Sequence, residues 1–280
     1  MRDAVLAAFA ADHADLARVS PPETLDRIAT NALALRLDDA EFASEVFGDI
    51  RSQAIQSTER WHDVQLAVTL TPLADSPAYY DVTMRWEYDT SPVHINRWFF
   101  AVSDRTEYDE LAGHADGTSA WYLKPDPVFD ARHHDAYELL QFSVNGQPRP
   151  IRRSSRSGFQ AYAVNLGLDD NLAGRLAHIS YTLRTITPRS GNLLFFDIEQ
   201  PTRNLSISVD YTDTDIASVT AIDLVPAGRQ IRREHSPPSA ATRTLHIEVD
   251  GWIFPRAGVA VVWSADANQT TRLSAEAEPV

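Results

Sequence analysis

The sequence predicts a mainly β protein, an antiparallel β-sandwich that follows an N-terminal α-helical segment. Two changes of pattern along the 280 residues carry this prediction. Apolar residues recur at helical spacing up to about residue 57, and from Trp61 onward they alternate with polar residues. A period near 3.6 indicates amphipathic helices, whereas a period of two indicates strands with one buried face.

The N-terminal segment, residues 1–57, contains three stretches with apolar residues at helical spacing. These are Val5, Ala8 and Phe9, then Leu25, Ile28 and Leu33, then Phe42, Val46 and Ile50. Ser20 precedes Pro21 and Pro22, which suits the start of the second helix, and Asp38-Asp39 can cap the third. Each helix has one apolar face and must pack against something.

The β region, residues 58–265, begins with two clear alternating runs. The apolar members are Val64, Leu66, Val68 and Leu70, followed by Val82, Met84, Trp86 and Tyr88. Turn pairs such as Asn145-Gly146 and Asp250-Gly251 separate further short runs. Alternation favours antiparallel pairing, in one large sandwich or in two tandem sandwiches that divide near residue 146. The polar residues 266–280 are predicted to form a flexible tail.

Composition excludes several classes of function. The formal net charge of −14 disfavours general binding to nucleic acid or to anionic membranes. The absence of cysteine excludes disulfides, thiolate metal sites and a cysteine nucleophile. No apolar run approaches the roughly 20 residues that span a bilayer, and the N-terminus does not resemble a secretion signal. We therefore predict a cytoplasmic protein, and its preference for arginine over lysine suggests a bacterial source.

Two groups of arginines are candidate ligand-binding residues. The first, in the predicted hairpin loop from Gly146 to Gly158, comprises Arg149, Arg152, Arg153 and Arg156; the second, in a later connection, comprises Arg229, Arg232 and Arg233. Guanidinium groups bind phosphate and carboxylate in bidentate fashion, so these loops could hold an anionic small molecule or a protein partner. The alternative is that the arginines are solvated and pair with acidic residues.

A second candidate site is a metal centre formed by His114, Asp116 and His178. Two histidines and one carboxylate hold non-haem iron in oxygenases that use 2-oxoglutarate, and such enzymes are built on β scaffolds. The alternative is that His114 and Asp116 lie in a solvated turn and that His178 faces outward from a strand.

No complete catalytic set is present in the sequence. There is no Gly-x-Ser-x-Gly elbow, no phosphate-binding loop with lysine, and no cofactor motif. The leading interpretation is therefore a non-catalytic binding or assembly module that presents arginine-rich loops to an anionic ligand or protein partner. Alternatives are the iron oxygenase and a structural subunit of a homo-oligomer, since the aromatic run from Trp98 to Phe100 points to both faces of its strand and suggests association.

Overall fold

The computed structural model describes residues 21–57, 59–112, 118–126, 129–156, 159–167, 175–224, 231–237, 239–255 and 257–265. Within them the prediction of a mainly β protein with an N-terminal helical segment is confirmed. The chain divides into two compact units, Met1–Gln56 and Ser57–Val280.

The first unit contains helices α1, Pro22–Leu37, and α2, Ala40–Gln56. They correspond to the second and third predicted helices; the first prediction lies outside the described residues. α1 begins with a proline, which needs no N–H partner there, and ends where Asp38 adopts a positive φ of 56°. Asp39 caps α2 by accepting a hydrogen bond from the Phe42 amide at 3.0 Å. None of the described helices has the length and apolar character needed to cross a membrane.

The described part of the second unit is built from strands and contains one further α-helix, α3, Arg105–Ala112. The strands are β1 Trp61–Pro72, β2 Tyr79–Thr90, β3 Asn96–Val102, β4 Thr118–Tyr122, β5 Tyr137–Val144, β6 Gln147–Pro148, β7 Ile151–Arg156, β8 Phe159–Asn165, β9 Ala177–Pro188, β10 Leu193–Asp197, β11 Thr202–Asp210, β12 Ile216–Asp223, β13 Ile231–His235, β14 Thr244–Ile253 and β15 Gly258–Ala265.

The described strands form three sheets. The largest has eight strands in the order β13-β14-β11-β1-β2-β9-β5-β6, and the others have the orders β10-β15-β12 and β4-β3-β8-β7. Most neighbours are antiparallel, but β1 pairs with β11 in parallel and β3 pairs with β4 in parallel. The prediction of purely antiparallel sheets is therefore wrong, because alternation reports which face of a strand is buried and not the direction of its neighbour.

The alternating runs bury the side chains that the period of two predicts. Val68 pairs with Met84 across β1 and β2, Leu66 pairs with Trp86, and each of these side chains is at most 7% exposed. Residues of all three sheets belong to one continuous apolar core. Since a fully buried aliphatic or aromatic side chain contributes about 1.5–3 kcal/mol, this core dominates the stability of the unit.

Candidate functional site

A cavity of about 540 Å³ lies in the second unit, where parts of all three sheets and α3 come together. Its walls come from β2 and β9 of the large sheet, from β4 and the segment that follows it, from β10, and from α3. They include the aromatic side chains of Tyr79, Trp86, Tyr108, Trp121, Tyr122, Phe129, Tyr181, Phe195 and Phe196. A volume of this size holds a small organic molecule.

β10 and the segment that follows it carry two carboxyl groups along one wall of the cavity. Leu194, Phe196 and the following Ile198 are at most 5% exposed, so the alternate positions face away from the core. Those alternate positions are occupied by Asp197 and, two residues further, Glu199, and both line the cavity. The period of two of an extended chain thus places both carboxyl groups on the same wall.

Glu199 is the most strongly perturbed carboxyl group that lines the cavity. Burial raises its pKa, a hydrogen bond from Ser119 lowers it, the neighbouring Asp197 raises it and the charge of Arg97 lowers it, and together these effects bring the pKa to about 8. The Ser119 hydroxyl donates that bond to Oε1 of Glu199 over 2.8 Å. A carboxyl group with a pKa near neutrality can both donate and accept a proton at physiological pH.

Asp197 and Tyr108 complete the group of titratable side chains at this end of the cavity. Burial also raises the pKa of Asp197, against the effect of a hydrogen bond from the Ile198 backbone. Burial raises the pKa of the Tyr108 hydroxyl on α3, and the charges of Asp197 and Glu199 add to that increase. The three side chains are therefore close enough to influence one another's ionisation.

A buried ion pair supports the same region. Arg97 on β3 and Glu59 are only 6% and 4% exposed, and Nη2 of Arg97 lies 2.5 Å from Oε2 of Glu59. The Val93 amide donates to the other oxygen of Glu59 at 2.9 Å. Both residues line a second, water-sized cavity whose wall also includes Glu199. The charge of Arg97 is therefore fixed near Glu199 by a partner that lies away from the main cavity.

The raised pKa of Glu199 predicts that stability falls as pH rises. Between the ordinary pKa of about 4.5 and the folded-state value of about 8, the folded protein holds a proton that the unfolded chain has lost. Increasing pH through this interval therefore destabilises the fold, by about 3–5 kcal/mol in total. We expect Glu199→Gln to remove this contribution, so that urea unfolding shows the variant gaining stability relative to the parent between about pH 5 and pH 8.

Glu248→Gln is the matched control, because the Glu248 carboxyl is 52% exposed and pairs with Arg232. Its effect should stay within about 0.5 kcal/mol and should not grow with pH in this interval. Equal pH dependence of the parent and Glu199→Gln would show that Glu199 is ionised normally.

The structure places three arginines of the first group on a strand and leaves Arg149 in the short connection between β6 and β7. Arg152, Arg153 and the backbone of Arg156 belong to β7, an edge strand of the four-stranded sheet. Nη2 of Arg153 donates to the side chain of Gln160 at 3.0 Å. Arg149 follows β6, and its guanidinium lies against Gly167. Successive strand residues point to opposite faces, so the group does not converge as the loop interpretation required.

The second arginine group is paired with acidic residues. Arg232 and Arg233 lie on β13, an edge strand of the eight-stranded sheet. Arg232 is 3.0 Å from Glu248, and Arg233 is 2.7 Å from Asp223. Arg229 lies outside the described residues. The two groups therefore belong to different sheets, and the expected arginine-rich loops are corrected to strand edges; anion binding by these arginines stays a prediction.

The predicted iron site falls largely outside the described residues, because neither His114 nor Asp116 is among them. His178 is on β9, where its Nδ1 lies 2.9 Å from Oδ1 of Asp89. Within the described ranges no three histidine, aspartate or glutamate side chains are grouped as a metal site would need.

No protein-family model and no curated protein sequence matches this chain. Solved structures resemble it at low identity. The M1 zinc metallopeptidase from Deinococcus radiodurans gives a TM-score of 0.40 and 10% identity, over 74% of this chain and 42% of that chain. Native yeast LTA4 hydrolase gives a TM-score of 0.35 and 8% identity, over 72% of this chain and 28% of that chain. This chain spans less than half the length of either protein.

These comparisons correct the functional prediction. The sequence led to a non-catalytic binding or assembly module, with an iron oxygenase or a structural subunit as alternatives, whereas both structures are named as enzymes, a metallopeptidase and a hydrolase. The prediction is contradicted on this point. At such identity no residue role and no substrate passes from those proteins to this chain. A protein partner, an anionic ligand, self-association and a cytoplasmic location stay predictions.

Proposed function

We propose that this protein is an enzyme whose substrate is an organic amine with an apolar body, and that Glu199 exchanges a proton with that substrate. One observation carries the proposal: Asp197, the last residue of β10, and Glu199, two residues further along the chain, both line a cavity with aromatic walls. A carboxylate is the natural partner of an ammonium group, and aromatic rings attract cations while they cover apolar surface.

The ionisation of Glu199 fits this role. Its raised pKa reflects the cost of a negative charge in the cavity, and a bound ammonium group would offset that cost. Amine binding near pH 7 should therefore release the proton of Glu199. A group that gains and loses a proton near neutral pH is suited to general acid–base catalysis, in which it contributes typically a factor of about 100 to 10,000 in rate.

The test is isothermal titration calorimetry with phenethylamine in two buffers that differ in their enthalpy of ionisation. The parent protein should bind the amine and release between about one half and one proton at pH 7, because the bound cation lowers the pKa of Glu199. 3-Phenylpropionate, a matched aromatic anion, should bind at least about tenfold more weakly. Equal affinity for the amine and the carboxylate would refute the proposal.

Two variants sharpen this experiment. Glu199→Gln should bind phenethylamine at least about tenfold more weakly and release no proton, since the amide neither carries charge nor titrates. Ser119→Ala loses the hydrogen bond that lowers the pKa of Glu199. The parent's Glu199 is already mostly protonated at pH 7, so the proton release of Ser119→Ala should persist to a higher pH than that of the parent.

The catalytic part of the proposal is tested with chromogenic nitroanilides of amino acids, either with a free amine or acetylated on it. Turnover of the free amines that is lost in Glu199→Gln would support it. Turnover that Glu199→Gln leaves unchanged would place the chemistry elsewhere in the protein.

A further inference from the structure

The cavity is elongated, and the strand register gives its direction. On its floor Trp86 pairs with Tyr181 and, seven residues along the same two strands, Tyr79 pairs with Pro188. All four residues line the cavity. At about 3.3 Å per residue the two pairs are roughly 23 Å apart along the strands. The cavity therefore has two ends that no single short ligand can reach together.

The other walls run along the same axis. Ser119, near the start of β4, contacts Glu199. The chain then continues to Leu123, whose amide donates to the Val102 carbonyl at 2.9 Å, and Lys124 is the next residue. Five extended residues cover about 16 Å, so Lys124 lies far from the carboxyl groups. β10 runs in the direction opposite to β4. Gly191, shortly before β10, lies against Pro188, and the segment after β10 leads to Glu199.

Both ends of the cavity carry ionisable side chains, and Arg105 on α3, which also lines the cavity, pairs with Asp109 at 3.2 Å. The first end holds the carboxyl groups of Asp197 and Glu199. At the second end Asp126 interacts with the Tyr79 hydroxyl, whose pKa burial and this contact raise to about 12. Asp130 pairs there with Arg132 at 2.5 Å. Lys124 lines this end, and none of the ion pairs found among the described residues includes it. A cation is thus available about one strand length from the carboxyl groups.

We infer that the cavity selects an elongated substrate with an ammonium group at the Glu199 end, an apolar middle, and a carboxylate at the far end that pairs with Lys124. The inference rests on the proposed amine-binding function and adds the length and the second charge of the substrate. The aromatic side chains between the two ends would cover the apolar middle, and the distance between the ends would exclude short molecules.

The test compares four ligands by calorimetry at equal ionic strength: dodecylamine below its micelle concentration, aminododecanoate with its charges at opposite ends, aminohexanoate, and dodecanoate. Aminododecanoate should bind roughly fivefold tighter than dodecylamine, as expected for one accessible ion pair. Aminohexanoate should bind more weakly than either, because it cannot reach both ends.

Lys124→Met keeps the length of the side chain and removes its charge. This variant should bind dodecylamine as the parent does, while aminododecanoate loses its roughly fivefold advantage. Arg85→Met is the matched control, since Arg85 is on β2, pairs with Glu87 and does not line the cavity. It should leave all four affinities unchanged.

The outcomes separate the inference from the function on which it rests. If dodecylamine binds but aminododecanoate binds no tighter, or if Lys124→Met keeps the tighter binding of aminododecanoate, the substrate carboxylate that pairs with Lys124 is wrong. The proposed amine binding is unaffected by either result. If aminohexanoate binds as tightly as aminododecanoate, the length selection is wrong. If dodecylamine does not bind, or if dodecanoate binds as tightly as dodecylamine, the proposed function itself is wrong.

Discussion

Replacing Arg97 with methionine is expected to lower the free energy of unfolding by about 3–5 kcal/mol, because it leaves the buried Glu59 carboxylate without its cation. Glu59 is 4% exposed, and its remaining hydrogen bond comes from the Val93 amide. Water cannot replace the lost partner at so little exposure. Urea unfolding followed by tryptophan fluorescence measures the loss.

A double variant separates the two contributions of this pair. In Glu59→Gln/Arg97→Met no charge is buried, so at least about half of the lost stability should return. Arg85→Met removes an arginine whose side chain is 60% exposed, and it should change stability by less than about 0.5 kcal/mol. A loss below about 1 kcal/mol in Arg97→Met would mean that the pair is solvated in solution.

Arg243→Met is expected to cost about 3–4 kcal/mol, because the Arg243 guanidinium donates to four backbone carbonyl groups of one loop. These are the carbonyls of Tyr211, Thr212, Thr214 and Ile216, at 3.1, 2.7, 2.5 and 2.6 Å. Methionine fills similar space but leaves the partly buried oxygens without a donor. Thermal unfolding should show the lower stability.

Arg243→Lys tests the origin of that loss. Lysine keeps the charge but can donate to fewer of these carbonyls, so its cost should lie between zero and that of methionine, at about 1–2 kcal/mol. If lysine and methionine destabilise equally, the planar fork of the guanidinium is the essential feature. If neither destabilises the protein, the loop is held by other contacts and the hydrogen-bond explanation is wrong.

Period and spacing predicted the elements that have one buried face. The helical spacing around Leu25 and Phe42 located α1 and α2, and the alternation from Val82 to Tyr88 located β2. Such elements are predictable because one face must be buried away from water, and the spacing of the apolar residues along the sequence shows which face it is.

Helix α3 was missed because it buries none of its residues. A local signal was present: Asp104 accepts a hydrogen bond from the Glu107 amide at 2.9 Å, and an acceptor followed three residues later by glutamate is typical of a helix start. The arginines were assigned to loops for the same reason, since the exposed edge strands β7 and β13 show little apolar alternation.

The candidate site was not predicted, although a signal for it exists. Asp197 and Glu199 alternate with the buried residues Phe196 and Ile198, which ordinarily indicates a wet strand face. Only the three-dimensional arrangement shows that this face is turned to a cavity, because α3, β4 and β9 cover it from distant parts of the sequence. Strand alternation predicts which face of a strand is turned away from the core, but it does not predict whether that face meets solvent or a cavity.

The parallel pairing of β1 with β11 constrains the order in which the protein can be assembled. β1 precedes the other described strands in the sequence, yet its neighbours are β2, which follows directly, and β11, which ends at Asp210. Contacts between segments so distant in sequence form late and slow folding. During translation the β1–β2 hairpin therefore has both edges unpaired until β9 and then β11 have emerged from the ribosome.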